Sequence, residues 1–229
     1  MSLVKYPRTF HVPWSESATS DDVWHKSPFS LFNGKEVVVT EKMDGENCTM
    51  YRDAIHARSV DSKHHPSRSF VKQIQAAVGP QIPDSWRICG ENLYAYHSVL
   101  YVGLPSYFLA FSMFDGNTCL SWDETVAWCE ELGLDTVPVL YRGIWNEDAI
   151  KNLPKKSTYE TFEAVDPNKK DIVFPDDFKP CDAEGYVIRI VESFDYADFI
   201  QSTAKWVRAN HVKGNVFWMD RKPFPNILR

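Results

Sequence analysis

Paired cysteines are missing from this sequence. Its five cysteines are scattered, odd in number and nowhere arranged as Cys-x-x-Cys. That pattern argues against a zinc site or a disulfide framework and is typical of a reduced compartment. We therefore predict that all five are small buried hydrophobic side chains. They are Cys48, Cys89, Cys119, Cys129 and Cys181.

Long apolar runs and an excess of positive charge are also missing. No stretch approaches the ~20 apolar residues of a membrane helix. The first residues, MSLVK, do not resemble a signal peptide. We expect a cytoplasmic protein with no membrane partner. Because the formal net charge is −6, any contact with nucleic acid must use a local basic surface.

The remaining composition predicts a packed globule, with 44% hydrophobic and 14% aromatic residues. Runs rich in β-branched and aromatic residues predict strands at 36–42, 47–52, 86–91, 107–114 and 184–191. Helices are expected at 69–78, at 121–132 behind a capping box, and at 146–153. The stretch 154–180 is polar and contains several prolines, and we predict that it is a long surface segment. We predict one mixed, largely antiparallel α+β domain over residues 1–229, with flanking helices.

Lys42 is the first candidate for chemistry. It follows the apolar run of the first strand, in the segment EKMDGEN. A lysine ammonium is not a nucleophile until it loses its proton, so a site that uses it must lower its pKa by burial or neighbouring cations. Gly45 would allow a sharp turn that brings backbone N–H groups near a ligand. Alone, however, Lys-x-Asp-Gly is a weak signal.

Other charged residues lie where apolar strands begin or end. Glu91 ends one strand, Glu184 begins another, Lys205 lies in an apolar segment, and Arg58 follows a short hairpin. Nucleotidyl transfer needs cations to neutralise a triphosphate and carboxylates to hold a metal and bind ribose. Each residue could instead have a purely structural role. The glutamates could be solvated strand ends, Lys205 could extend its amine to solvent, and Arg58 could form a weak surface ion pair.

The order of these segments along the chain favours a nucleotidyl-transfer site over isolated structural charges. The chain resembles the covalent nucleotidyltransferases, and within them the ATP-dependent RNA ligases of the phage-type RNA ligase 2 kind. The resemblance covers about residues 36–208. It lies in the segments KMDGEN (42–47), RS (58–59), GENLY (90–94), YFLAF (107–111), EGYVIR (184–189) and AKWVR (204–208).

This resemblance implies the fold of a ligase or capping-enzyme adenylation domain, with ATP and Mg²⁺ (or Mn²⁺) as cofactors. Lys42 would attack the α-phosphorus of ATP, expel pyrophosphate and carry a lysyl-adenylate. AMP would then pass to a 5′-phosphate, and a 3′-hydroxyl would displace it. The substrates would be RNA ends or a nicked duplex.

Individual roles follow from the same resemblance. Arg58 would pair with phosphate, and Glu91 would bind ribose hydroxyls or the metal. Glu184 would position Mg²⁺, partly through water. Lys205 would hold the α-phosphate as charge develops on it.

The base and the flanking residues complete the expected nucleotide site. Phe111 would stack on the adenine, with Phe114 as the alternative if the register is shifted. Asn47 matches an asparagine of the RNA-ligase version of the first motif and favours RNA over DNA. The other expected nucleotide contacts are Glu41, Asp44 and Gly45.

Two departures from the family pattern affect how the strand would be held. Val207 stands where the family usually has a second lysine, and Arg208 on a regular strand faces away from Lys205. We expect neither a separate C-terminal domain nor an oligonucleotide-binding barrel. A protein partner or the stretch 154–180 would then have to hold the nucleic-acid strand. Candidate nucleic-acid contacts are Arg68, Arg208, His211 and Lys213.

Three further points stay open. His64 and His65 could contact substrate phosphate or form an exposed turn. The segment 8–14 could pack the domain or line the nucleotide pocket. The alternatives to a ligase are a GTP-dependent capping-type enzyme and a non-catalytic nucleic-acid-binding module with the ligase fold.

Overall fold

The computed structural model describes residues 2–17, 22–27, 29–159, 182–209 and 222–229. The strands are β1 Glu36–Lys42, β2 Glu46–Met50, β3 Ile55–Ala57, β4 Trp86–Asn92, β5 Val102–Leu104, β6 Phe108–Asp115, β7 Thr118–Cys119, β8 Asp135–Thr136, β9 Val139–Ile144, β10 Gly185–Ile190, β11 Phe194–Asp195, β12 Thr203–Val207 and β13 Ile227–Leu228. The α-helices are α1 Ser69–Val78, α2 Trp122–Glu131, α3 Glu147–Lys151 and α4 Phe199–Ser202.

Two mainly antiparallel sheets form the body of the protein. One has the strand order β12-β10-β1-β9, and the other β11-β7-β6-β4-β2-β3 with β8 parallel to β6. A small parallel pair, β13-β5, stands apart. The predicted α+β class with antiparallel sheets and flanking helices is confirmed.

Strand β1 lies between two parts of the core because its successive side chains point to opposite faces. Val37 and Val39 pack into one apolar cluster, and Val38 packs into another. The register of the neighbouring strands then fixes the site. Lys42 lies opposite Gly185 in β10, and Asn47 of β2 lies opposite Glu91 of β4.

Helix α1 has the predicted bounds but a different buried face. The expected apolar stripe ran through Phe70, Ile74 and Ala77 or Val78. In the structure Val71 and Val78 are buried, whereas Phe70 is 38% exposed and Ala77 is exposed. The prediction was wrong for Phe70 because the helix is rotated so that the β-branched Val71 meets the core.

The other local predictions fare as follows. The Ser121–Glu124 capping box is present at α2, and the predicted strands differ from the observed ones by one or two residues at their ends. Four cysteines are free and buried as predicted; Cys181 and most of 154–180 lie outside the described residues. Among the described residues, no helix is long and apolar enough to cross a membrane.

Candidate active site

A cleft of about 630 Å³ is lined by residues of β1, β10 and β12 from one sheet and of β2, β4 and β6 from the other. That volume lies in the range of small-molecule sites. Its wall also includes part of the N-terminal segment, so the expectation that segment 8–14 lines the pocket is met by Arg8 and Thr9. The sequence-predicted residues on the wall are Glu41, Lys42, Gly45, Asn47, Arg58, Arg68, Glu91, Phe111 and Lys205.

Lys42 forms a close ion pair with Glu184. Its Nζ lies 2.6 Å from Glu184 Oε2, and the side chains are 26% and 8% exposed. Burial works to lower the pKa of Lys42, but the charges of Glu184, Glu91 and Asp44 outweigh it and raise the pKa. The expectation that this site lowers the pKa of Lys42 is therefore wrong for this arrangement, because carboxylates rather than cations surround the amine.

Glu91 shares this crowded region. Burial raises the pKa of its carboxyl group to about 8, Lys42 opposes the rise, and Glu184 adds to it. The pKa of Glu184 is also raised, again mainly by burial. Two carboxyl groups beside one lysine thus hold protons more strongly than free glutamates do.

Asp44 lies beneath the cleft rather than on its wall. Its carboxylate accepts hydrogen bonds from Ser98 N at 2.7 Å, Ser98 Oγ at 2.8 Å and Val99 N at 2.8 Å. Its own backbone N–H donates to the hydroxyl of Tyr101 at 2.6 Å. These four bonds hold the turn that follows Lys42, so the geometry gives Asp44 a positioning role rather than a direct nucleotide contact.

The adjoining turn residues are also constrained. A Cβ on Gly45 would lie 2.5 Å from the carbonyl oxygen of Asn92, so only glycine fits this close approach without a shift. Glu41 is buried, and its carboxylate accepts a bond from Thr158 N at 2.8 Å and another from Ser157 Oγ. Its side chain is thus anchored to the segment after α3.

Cations also line the cleft. Arg58 keeps part of its side chain exposed, but partial burial of its guanidinium and the nearby charge of Arg8 lower its pKa, and Asp22 opposes this. Lys205 also lines the cleft, with its Nζ 2.9 Å from Asp22 Oδ1. The pKa of Lys205 is lowered mainly by burial. An anion entering here would meet several positive side chains.

The structure separates the two candidate aromatic residues. Phe111 is partly exposed on the cleft wall, beside the ring of Tyr6 at 5.1 Å in an edge-on arrangement. Phe114 is fully buried, and the guanidinium of Arg87 lies 4.0 Å from its ring centroid. Of these two phenylalanines, Phe111 is therefore the one that lines the cleft.

The predicted nucleic-acid contacts are dispersed. Arg68 is buried and forms a two-pronged pair with Glu46 at 2.7 and 2.5 Å, so its donors are engaged within the protein. Arg208 is absent from the cleft wall, and its backbone N–H donates to Glu184 O at 3.1 Å. His65 caps a short turn through Ser67. His211 and Lys213 lie outside the described residues.

Some wall residues were not singled out from the sequence. Tyr6 comes from the N-terminal segment, and Ser112 and Arg189 come from β6 and β10. Arg189 falls in the EGYVIR segment, which is the one signal that could have drawn attention to it. Nothing in the local pattern around Tyr6 marks it, because it reaches the cleft only through tertiary contacts.

Taken together, the two sheets and the lysine–carboxylate cleft between them define a fold of the nucleotidyltransferase type. A family model for RNA ligases matches residues 35–207. The chain belongs to the RNA ligase family. No curated protein sequence matches it.

Solved structures agree with this fold. An apo variant of the Naegleria gruberi RNA ligase is 14% identical, with a TM-score of 0.51 over 90% of this chain and 61% of that one. A variant of the same ligase with ATP and Mn is 14% identical, with a TM-score of 0.50 over 91% and 61%. At such identities the likeness concerns the fold alone. This chain spans about three fifths of the matched ligase.

Proposed function

We propose that the protein is an ATP-dependent RNA ligase of the RNA ligase 2 type that forms a lysyl-adenylate at Lys42. The observation that carries the proposal is the meeting of Lys42 and Glu91 with cations and an aromatic face in one nucleotide-sized cleft, where Glu184 pairs with Lys42. A core packing site would not gather ionisable groups of both signs around an open volume.

The proposed chemistry divides between the walls. Phe111 offers its ring to adenine, and Glu91 offers hydrogen-bond acceptors to ribose hydroxyls. Arg58 and Lys205 would bind the phosphates and stabilise the charge that grows during attack by Lys42. The 5′-phosphate of an RNA end would next take the AMP, and a 3′-hydroxyl would displace it. Asn47, beside Glu91 in the strand register, favours RNA ends over DNA ends by its resemblance to the family motif.

A divalent cation fits this donor set. Within the described ranges, no three His, Cys, Asp or Glu side chains are grouped to hold a metal by themselves. Mg²⁺ is usually held by one or two carboxylates together with substrate phosphates and water, and Glu184, with Glu91 nearby, supplies that many. Bound there, the cation would neutralise phosphate charge and weaken the hold of Glu184 on the proton of Lys42.

The first test is covalent labelling. Incubation with α-labelled ATP and Mg²⁺ or Mn²⁺, followed by denaturing electrophoresis, should leave label on the wild-type chain. The Lys42→Ala variant should take none, since it lacks the amine that would carry the AMP. Wild-type protein that stays unlabelled with ATP would refute the proposal, and labelling only by GTP would favour the capping-type alternative.

The labelled enzyme can then be offered a substrate. A nicked duplex with RNA on its 3′-hydroxyl side should accept the AMP and be sealed faster than an all-DNA nick. If labelled protein transfers AMP to neither nick, the chain is a self-adenylating module rather than a ligase by itself.

A further inference from the structure

A series of buried polar contacts joins the N-terminal segment to Lys205. Val207 N donates to Ser15 Oγ at 2.9 Å, and Ser15 Oγ lies 2.7 Å from His11 Nδ1. His11 Nε2 lies 3.2 Å from Asp22 Oδ1. The same oxygen accepts a hydrogen bond from Lys205 Nζ at 2.9 Å. The series starts on the β12 backbone and returns to the amine on the cleft wall.

The backbone on each side of Lys205 is fixed to the N-terminal segment. Val12 N donates to Lys205 O at 2.8 Å, and Lys205 N donates to Phe10 O at 2.9 Å. The segment therefore meets β12 in a parallel bridge between His11 and Lys205. A side chain placed by this segment is held in a defined position relative to Lys205.

The chain next to Asp22 is anchored as well. His11 N donates to Val23 O at 2.8 Å, and His25 N donates to His11 O at 2.7 Å. Since these bonds fix the residues that follow Asp22, its carboxylate is held in a defined place beside Lys205, which lines the cleft.

His11 supports Asp22 without cancelling its charge. Burial, assisted by the charge of Lys205, lowers the pKa of His11 to about 4. The imidazole is thus neutral at neutral pH. Its Nε2 faces Asp22, and its Nδ1 faces the hydroxyl of Ser15. Asp22 keeps a full negative charge to share with Lys205.

We propose that Asp22 is a positioning residue that holds the Lys205 ammonium at the cleft in its charged form, ready for the α-phosphate. The inference rests on the proposed function, in which Lys205 binds that phosphate. Burial and the charge of Lys42 both lower the pKa of Lys205, whereas Asp22 and Glu184 raise it. Of these carboxylates, only Asp22 is hydrogen-bonded to the amine.

A competing role for Asp22 makes a different prediction. Its charge also reaches Arg58, so a carboxylate at this place could exclude ATP by repelling phosphate. Removing that charge would then strengthen ATP binding and would not slow the reaction. A positioning residue instead affects the step in which phosphate charge grows, and therefore the rate at saturating ATP.

The test is Asp22→Asn, which keeps the size of the side chain and removes its charge. Single-turnover self-adenylation at saturating ATP should slow by about tenfold, less than the ~10²–10³-fold typical of deleting a charge-stabilising donor. The dissociation constant for ATP should rise as well, because Lys205 binds the phosphates in the proposed function, whereas the repulsion role predicts that it falls. Asp123→Asn is the matched control, because it breaks an exposed pair with Arg142 outside the cleft and should leave the rate unchanged. An unchanged rate in Asp22→Asn, with or without tighter ATP binding, overturns the proposal.

A double-mutant cycle decides whether Asp22 acts through Lys205. In a Lys205→Ala background, Asp22→Asn should cause no further loss of rate. Equal losses in both backgrounds overturn the inference, provided that thermal unfolding shows all four proteins folded. If wild-type protein takes no label from ATP, the proposed function fails at its own step. ATP affinities of the same four proteins, measured by calorimetry, still decide the coupling: non-additive changes support it and additive changes reject it.

Discussion

Glu91 bears an electrostatic cost that its position in the cleft explains. Its carboxyl pKa is raised to about 8, first by burial. A carboxyl group with a raised folded-state pKa contributes stability that is full below its unfolded value and is lost as the pH rises through about 8. An ionised Glu91 therefore destabilises the fold above that pH, as expected for a group kept for function rather than for packing.

Replacing this carboxyl group should stabilise the protein in alkali. At pH 8.5 we expect Glu91→Gln to raise the thermal unfolding midpoint by about 3 °C, since the amide mimics the protonated acid. Near pH 4.5 the shift should be close to zero, and self-adenylation should fall at every pH. Scanning calorimetry at the two pH values measures the difference. Equal shifts at both would show that Glu91 does not titrate as described.

For single residues, the sequence predicts which side chains line the cleft better than it predicts the partners with which each side chain interacts. Lys42, Glu91 and Lys205 are recognisable by residue type and order, and all three line the cleft. The engagement of Arg68 by Glu46, 22 positions away, has no local signal. A side chain is assigned a partner only when the strands are brought together, which is why Arg68 looked available for RNA.

Among the elements, β10 and β12 approach each other unusually closely at Gly185. A Cβ there would lie 2.0 Å from the carbonyl oxygen of Trp206. Backbone atoms cannot move aside as a flexible side chain can, so the two strands would have to separate. Glu184 and Lys205, which adjoin this contact on the two strands, would move with them.

Gly185→Ala should therefore reduce both stability and activity. We expect a loss of about 2 kcal/mol in the free energy of unfolding, measured in urea, and a larger relative loss of self-adenylation. Gly116→Ala is a suitable comparison, because Gly116 has φ +53 and open space around it, in the turn between β6 and β7. It should cost about 1 kcal/mol and spare adenylation. A fully active Gly185→Ala protein would contradict the close-approach argument.

Elements were predictable where local chemistry decides them. The capping box and Gly133, which follows the helix with φ +65, fix the ends of α2, and the apolar run fixes β1. The buried face of α1 was not predictable from spacing alone, because Phe70 and Val71 are both apolar and adjacent. Which of them enters the core depends on the sheet that α1 packs against, and this information is absent from the helix sequence.

For the whole molecule, net charge and site charge oppose each other. The formal net charge is −6, yet Arg58, Arg8 and Lys205 line the cleft. Under the proposed function, a polyanion would be held by this small local surface against an unfavourable overall field.

This opposition predicts different salt responses for the two half-reactions. At saturating ATP, self-adenylation should change by less than about twofold between 50 and 200 mM salt, since the buried ion pairs around Lys42 are weakly screened. Sealing of a pre-adenylated RNA nick, measured below saturation, should fall by about tenfold or more. Each phosphate contact with the protein displaces a counterion from the RNA. The free energy gained from that displacement decreases as the salt concentration rises. Equal salt sensitivity of the two rates would mean that RNA binding does not depend on a limited cationic surface, and the strand would then have to be held by apolar or base contacts instead.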